Sequence, residues 1–147
     1  MSRAGSPPAV LERLLRAVNS HDLDALVSCF AVDYMNETPV HPRRGFRGND
    51  QVRRNWAQIF TIADFRAEVP LYGLDRDRLW TEWEMSGTRP DGAPLLMRGV
   101  VIFVIDGDTF RSARFYLEPV EETSGDVDVH THRVVSALGA HAGATPQ

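Results

Sequence analysis

Tyr34, Asn36 and Thr38 alternate with Met35 and Glu37 inside the run Val18–Pro39, VNSHDLDALVSCFAVDYMNETP. Residues two apart share a face of an extended chain, so these three polar side chains point the same way. If that face looks inward they need partners or a ligand, because a buried polar group without a hydrogen bond costs about 1–3 kcal/mol. A phenol, an amide and a hydroxyl can orient an oxygen or hold a water. None of them titrates near neutral pH, where general acid–base catalysis works best. The seam predicts a cavity and leaves the reaction open.

Other chemistry-bearing residues are sparse. Cys29 is the only cysteine, so no intrachain disulfide or thiolate cluster can form, and it reads as a small buried side chain on the second helix. Arg43, Arg44 and Arg47 form the one basic cluster and read as a solvated loop rather than a phosphate site. His21 and His41 fall at predicted element ends and read as loop residues. His130-Thr131-His132 and His141 lie in a polar tail, and two spaced histidines without a carboxylate partner do not make a zinc site. No metal and no cofactor are expected. If the tail folded over the cavity mouth, Asp126, Asp128 or His130 would approach a ligand.

The elements that must position the seam follow from periodicity. Ser6 before Pro7-Pro8 is a plausible helix start, and Val10, Leu11, Leu14, Leu15 and Val18 share one helical face. Asp22 can cap a second helix carrying Leu23, Leu26, Val27 and Phe30, which leads to a strand at 34–38. Asn49 or Asp50 opens a third helix with Val52, Trp56, Ile59 and Phe60 as its buried stripe. From Phe65 the period becomes two. Phe65, Ala67, Val69 and Leu71 make a strand that Pro70 marks as an edge or a bulge, and longer strands follow at 78–88, 95–105 and 109–118. The turn signals between these three are RPDGAP and DGD. Helices first and antiparallel strands after them define an α+β domain. Residues 1–120 form that single domain. Residues 121–147 read as a polar, loosely held tail in which only Val127–Leu138 has weak helical periodicity.

Composition agrees with one soluble globular domain: 147 residues, 43% hydrophobic, 24% charged and a formal charge of −4. The acidic balance gives no reason to expect nucleic acid. No apolar run approaches the roughly 18 residues of a membrane span, and MSRAGSPP lacks a signal-peptide core. The expected location is cytoplasmic.

The order of elements, together with NSHDLDALVSCF, resembles the nuclear transport factor 2-like superfamily, and within it the SnoaL-like (polyketide cyclase-like) group. The pieces that carry the resemblance are Asp22-Leu23-Asp24, Gly48-Asn49, Trp83 with Gly87-Thr88, and Arg98-Gly99 with Ile102-Phe103. It covers about residues 9–120. It implies a cone-shaped curved antiparallel or mixed sheet packed against three helices of the N-terminal half, a cystatin-like α+β roll with a ligand cavity inside. In many relatives it also implies a dimer through the outer sheet face. The fold serves isomerases, cyclases, dehydratases, hydrolases and non-enzymes alike.

Three family chemistries can be tested residue by residue. The tyrosine, base and second acid of ketosteroid isomerases fall on Leu14, Thr38 and Val101, which excludes that mechanism. The Tyr-x-Asn of limonene epoxide hydrolase-like members is kept as Tyr34-Met35-Asn36. Their Arg-x-Asp and final aspartate fall on Trp83-Glu84-Met85 and Phe115. The aspartate and histidine of SnoaL-like cyclases fall on Phe115 and Arg89, and arginine stays protonated. The resemblance thus keeps Tyr34 and Asn36 as candidate catalytic residues without their ionisable partners.

With Tyr34, Asn36 and Thr38 inward, alternation assigns Thr81, Trp83 and Met85, then Met97, Gly99, Val101 and Phe103, then Ala113, Phe115 and Leu117 to the same side. Trp56 and Phe60 cap them. Trp56, Phe60, Trp83, Met85, Met97, Val101 and Phe115 are the expected contacts for a small, mostly apolar molecule. Two alternatives stay open: the large side chains fill the interior, or a one-residue slip turns Glu82, Glu84 and Arg114 inward. The outward set, Trp80, Glu82, Glu84, Arg98, Val100, Ile102, Arg114, Tyr116 and Glu118, is too apolar to stay bare. Glu82, Glu84, Arg98, Arg114 and Tyr116 are expected at a homodimer interface. Three functions compete: a cofactor-free enzyme performing cyclisation, isomerisation or epoxide opening on a polyketide- or terpenoid-like molecule; a non-catalytic binder of such a molecule; and a dimeric interaction module with a filled core.

Overall fold

The computed structural model describes residues 6–123 and 125–143, the last four without their side chains. The chain runs α1 (Ala9–Ser20), α2 (Leu23–Val27), β1 (Phe30–Glu37), β2 (Phe46–Arg47), α3 (Asn49–Ile59), β3 (Arg66–Asp75), β4 (Arg78–Thr88), β5 (Pro94–Asp106), β6 (Thr109–Pro119) and α4 (Val127–Gly143). The six strands form one curved, mixed sheet in the order β2-β1-β6-β5-β4-β3. Among the described residues only the β1–β6 pair is parallel. The fold is α+β, as its periodicities require.

Helix boundaries follow local chemistry. Pro8, not Ser6, is the residue before α1, and no side chain caps that end; a proline there fixes φ and spares an amide. His21 ends α1 in the left-handed conformation at φ 55°. Asp22 caps α2 as expected, accepting the Ala25 N–H at 3.1 Å. Phe30 belongs to β1 rather than to α2, because α2 closes after one turn and its β-favouring continuation pairs with β6. Gly48, at φ 95°, admits the chain to α3 and donates its N–H to the Tyr34 carbonyl at 2.6 Å. That bond ties the start of α3 to the centre of β1.

Pro70 proves to be both edge and bulge: β3 is the last strand of the sheet, and its register with β4 shifts between Glu68 and Leu71. Strands β4, β5 and β6 pair along nearly their full lengths, with Trp83 opposite Gly99 and Val101 opposite Phe115. A Cβ on Gly99 would overlap the Tyr116 carbonyl oxygen and stand 2.6 Å from the Leu117 Cα. Only glycine lets β5 and β6 approach this closely.

Tyr34, Thr81, Trp83, Val101, Phe103 and Ala113 are buried beneath the helices with Val10, Leu11, Leu14, Val18 and Leu26. The opposite face leaves Trp80, Val100 and Tyr116 exposed at 40%, 36% and 36%, while Ile102 is covered by its neighbours. The inward assignment therefore follows the alternation without a slip. On the outer face Arg98 Nε stands 3.2 Å from Glu84 Oε1 directly across the ladder, and Arg114 Nε stands 3.4 Å from Glu37 Oε2. Such exposed pairs contribute little individually.

The weak periodicity after residue 126 corresponds to α4, whose first turn is capped by Asp126 through the Val129 N–H. Its described side chains are exposed. No helix among the described residues is long and apolar enough to cross a membrane.

Candidate functional site

Sheet and helices enclose a cavity of about 310 Å³. β1 supplies Phe30, Tyr34 and Asn36, with Thr38 just beyond; α3 supplies Val52, Asn55, Trp56 and Ile59. The floor comes from Met85 on β4, Leu95 and Met97 on β5, and Phe115 and Leu117 on β6. Ile62 and Phe65 close one side, and Arg44 and Phe46 close the other. The residues of α3 that reach the cavity stand three and four apart, so they form one stripe of the helix.

Tyr34 sits edge-on to Phe30 at 4.8 Å and tilted against Phe46 at 6.0 Å. Its hydroxyl donates to Asn36 Oδ1 at 2.7 Å. Burial pushes the phenol well above its ordinary range, with no compensating charge nearby. Tyr34 is therefore a neutral hydrogen-bonding group throughout the physiological range and cannot serve as a base. Arg44, exposed where the wall meets solvent, is the other ionisable residue of the wall. No carboxylate and no imidazole lines the cavity among the described residues, and its polar groups are the hydroxyls of Tyr34 and Thr38, the amides of Asn36 and Asn55 and the Arg44 guanidinium.

Six of the nine expected site residues line the cavity: Tyr34, Asn36, Trp56, Met85, Met97 and Phe115. Phe60, Trp83 and Val101 do not. Phe60 turns away from the cavity to stack on His21, with centroids 4.9 Å apart and planes within 9°. Trp83 is held in the core because its Nε1–H donates to Thr81 Oγ1 at 2.7 Å, and Thr81 in turn donates to the Val101 carbonyl at 2.6 Å. Phe103 packs on that side, stacked on Phe110 at 4.0 Å. The cavity thus lies beside Tyr34, while Trp83 packs against Phe103 and Phe103 against Phe110 outside its wall.

The lining residues that sequence reasoning left out of the wall are Phe46, Asn55, Ile62 and Leu95, together with Arg44, which it read as part of a solvated loop. Asn55 had a signal: a polar residue three after Val52 and four before Ile59, inside the buried stripe. Arg44 had none, since a single 3-10 turn at Pro42–Arg44 decides where it points. That turn is braced by Thr38, whose hydroxyl donates to the His41 carbonyl at 2.8 Å, and by His41 Nε2 at 2.7 Å from Glu118 Oε1.

The remaining candidates are structural. His21 Nε2 lies 3.0 Å from the Phe65 carbonyl, so it anchors a loop instead of standing free in solvent. Cys29 is buried, and desolvation raises its thiol pKa. His130 and His132 are exposed on α4, and the side chain of His141 lies outside the described residues. Asp126 spends its carboxylate on the α4 cap. No group of three potential metal ligands occurs among the described residues.

A SnoaL-like domain model matches residues 11–113, and the chain belongs to that family. No curated protein matches the sequence. Among solved structures, a candidate polyketide cyclase from Sinorhizobium meliloti is similar at 22% identity and TM-score 0.60, over 76% of this chain and 95% of that one. A protein of ketosteroid isomerase-like fold from Catenulispora acidiphila, solved with trimethylamine, is similar at 14% identity and TM-score 0.65, over 81% and 89%. An LEH-like epoxide hydrolase from M. tuberculosis is similar at 16% identity and TM-score 0.63, over 92% and 94%. At these identities the likenesses establish the nuclear transport factor 2-like fold.

Proposed function

We propose that this SnoaL-like protein binds a small, mostly apolar molecule, polyketide- or terpenoid-like in character, in the cavity between α3 and the sheet. The observation that carries this reading is the cavity itself, about 310 Å³ of apolar wall interrupted by a few polar groups. Small-molecule sites occupy about 300–1,000 Å³ and use few, well-placed polar contacts. The lack of a carboxylate or imidazole in the described wall favours holding the molecule over transforming it by proton transfer. Met97→Trp, which places a large ring in the hollow, tests the reading. Fluorescence titration with naphthalene-2-methanol should show saturable binding to the native chain. The variant should lose it while keeping a cooperative thermal transition. Undiminished binding in a folded variant would reject the cavity as the site.

One observation favours a second reading, catalysis without a cofactor. Tyr34 and Asn36 form a hydrogen-bonded pair on one strand, as the resemblance to epoxide hydrolase-like members implies. Preorganised neutral donors can stabilise charge as it develops, in a cyclisation, an isomerisation or an epoxide opening. Turnover that survives undiminished in both Tyr34→Phe and Asn36→Ala would reject those roles.

The proposal extends to the outer face. Trp80, Val100 and Tyr116 form an exposed apolar strip flanked by Glu82, Glu84, Arg98 and Arg114, and a second copy of this chain covers it in a homodimer. Sedimentation as a monomer at micromolar concentration would end that part of the reading.

A further inference from the structure

The unspent hydrogen-bond donors on the cavity wall are N–H groups. Along α3 a chain of contacts fixes this. Arginine has donors only, and Arg54 Nε and Nη2 lie 3.2 and 2.6 Å from Gln51 Oε1. The Gln51 oxygen therefore faces Arg54, and its amide nitrogen donates to Asn55 Oδ1 at 2.8 Å. Asn55 is left with its NH2 group free of protein acceptors among the described residues, on a side chain that lines the cavity. On β1 the same result arises differently. The buried Tyr34 hydroxyl gives its proton to Asn36 Oδ1, which leaves the Asn36 NH2 group as the open end of that pair. The Arg44 guanidinium likewise has no acceptor among the described residues. The Thr38 hydroxyl proton is spent on the His41 carbonyl.

A wall whose unspent donors are N–H groups, with no carboxylate beside them among the described residues, favours a ligand that accepts. We propose that the cavity takes an apolar carboxylate: its hydrocarbon body lies against Trp56, Met97 and Phe115, and its charged end meets Arg44 and the amides of Asn36 and Asn55. This rests on the ligand-binding reading above and names the ligand's chemical class. It also gives the basic cluster a use. Arg43 and Arg47 flank Arg44 on an otherwise acidic chain and raise the local potential at the cavity's edge, which draws anions toward it. Gln51 and Arg54 act as positioning residues, since they touch the wall only through Asn55.

Calorimetric titration of the full chain with naphthalene-2-carboxylate, naphthalene-2-methanol and naphthalene-2-methylammonium tests the proposal, because the three share a body and differ in the head. The carboxylate should bind on the order of tenfold more tightly than the alcohol, as charge-assisted hydrogen bonds to arginine predict, and the ammonium should bind most weakly. In Arg44→Met the ratio of carboxylate to alcohol affinity should fall toward one. Equal affinities in the native chain, or a preference that survives Arg44→Met, would overturn the carboxylate assignment while leaving the binding reading intact. Failure of all three probes to bind would overturn both.

Discussion

The two halves of the interior treat polar groups in opposite ways. Around Trp83 the chain of donors closes on itself: indole to Thr81, Thr81 to the Val101 carbonyl. Around Tyr34 the chain stays open, because Tyr34 satisfies Asn36 Oδ1 and no acceptor among the described residues takes the amide N–H beyond it. The first half also buries Phe103 stacked on Phe110, and the second borders the cavity. Burial alone does not make a site. What separates the two halves is unfilled space bordered by unspent hydrogen-bonding capacity.

Substitutions on the two sides should break or sharpen this contrast. The largest effect is expected from Phe103→Ala, which removes a fully buried ring from the packed half and should cost about 3–5 kcal/mol in urea unfolding. Met97→Ala enlarges a hollow that already exists, and should cost less than half as much. Equal losses would mean that both halves are packed alike. A smaller effect is expected from Thr81→Val, which strands the Trp83 N–H in a dry core and should cost about 1–3 kcal/mol. Tyr34→Phe should cost under about 1 kcal/mol, because Asn36 borders a cavity that water can enter. A larger loss for Tyr34→Phe than for Thr81→Val would reverse the assignment of closed and open halves.

The same contrast explains what could be read from the residues. The period-two pattern from Phe65 onward places β4 at 78–88 and assigns the buried faces, because alternation over long strands leaves little freedom. Pro70 and Asp22 act through backbone rules that do not depend on distant partners. Trp83 and Val101 were legible as inward residues but not as core rather than wall. That distinction depends on Thr81, which closes the indole's hydrogen bond from the same strand. Phe60 was legible as part of the buried stripe of α3, but its partner His21 stands on a left-handed helix end that no periodicity reports. Arg44 reaches the cavity only through a braced turn, so its place emerges from tertiary contacts alone.

The smallest effect concerns pH. Burial holds Tyr34 neutral well above its ordinary pKa of 10.0. A group whose pKa is raised this way loses no proton as pH climbs through the physiological range, so it contributes no step. Binding of naphthalene-2-methanol should therefore be flat between about pH 6 and 9, where an exposed imidazole or an ordinary phenol would begin to titrate. A sigmoidal change in that window would show a titrating group at the wall.

The most direct test of the account is a high-resolution crystal structure of the full chain grown with naphthalene-2-carboxylate. The predicted result is ligand density between Trp56 and Met97, with the carboxylate beside Asn36, Asn55 and Arg44 and the side chains around Trp83 unmoved. A cavity closed by Trp56 and Met97, with no ligand density inside it, would contradict the claim that this interior is built to hold a small molecule.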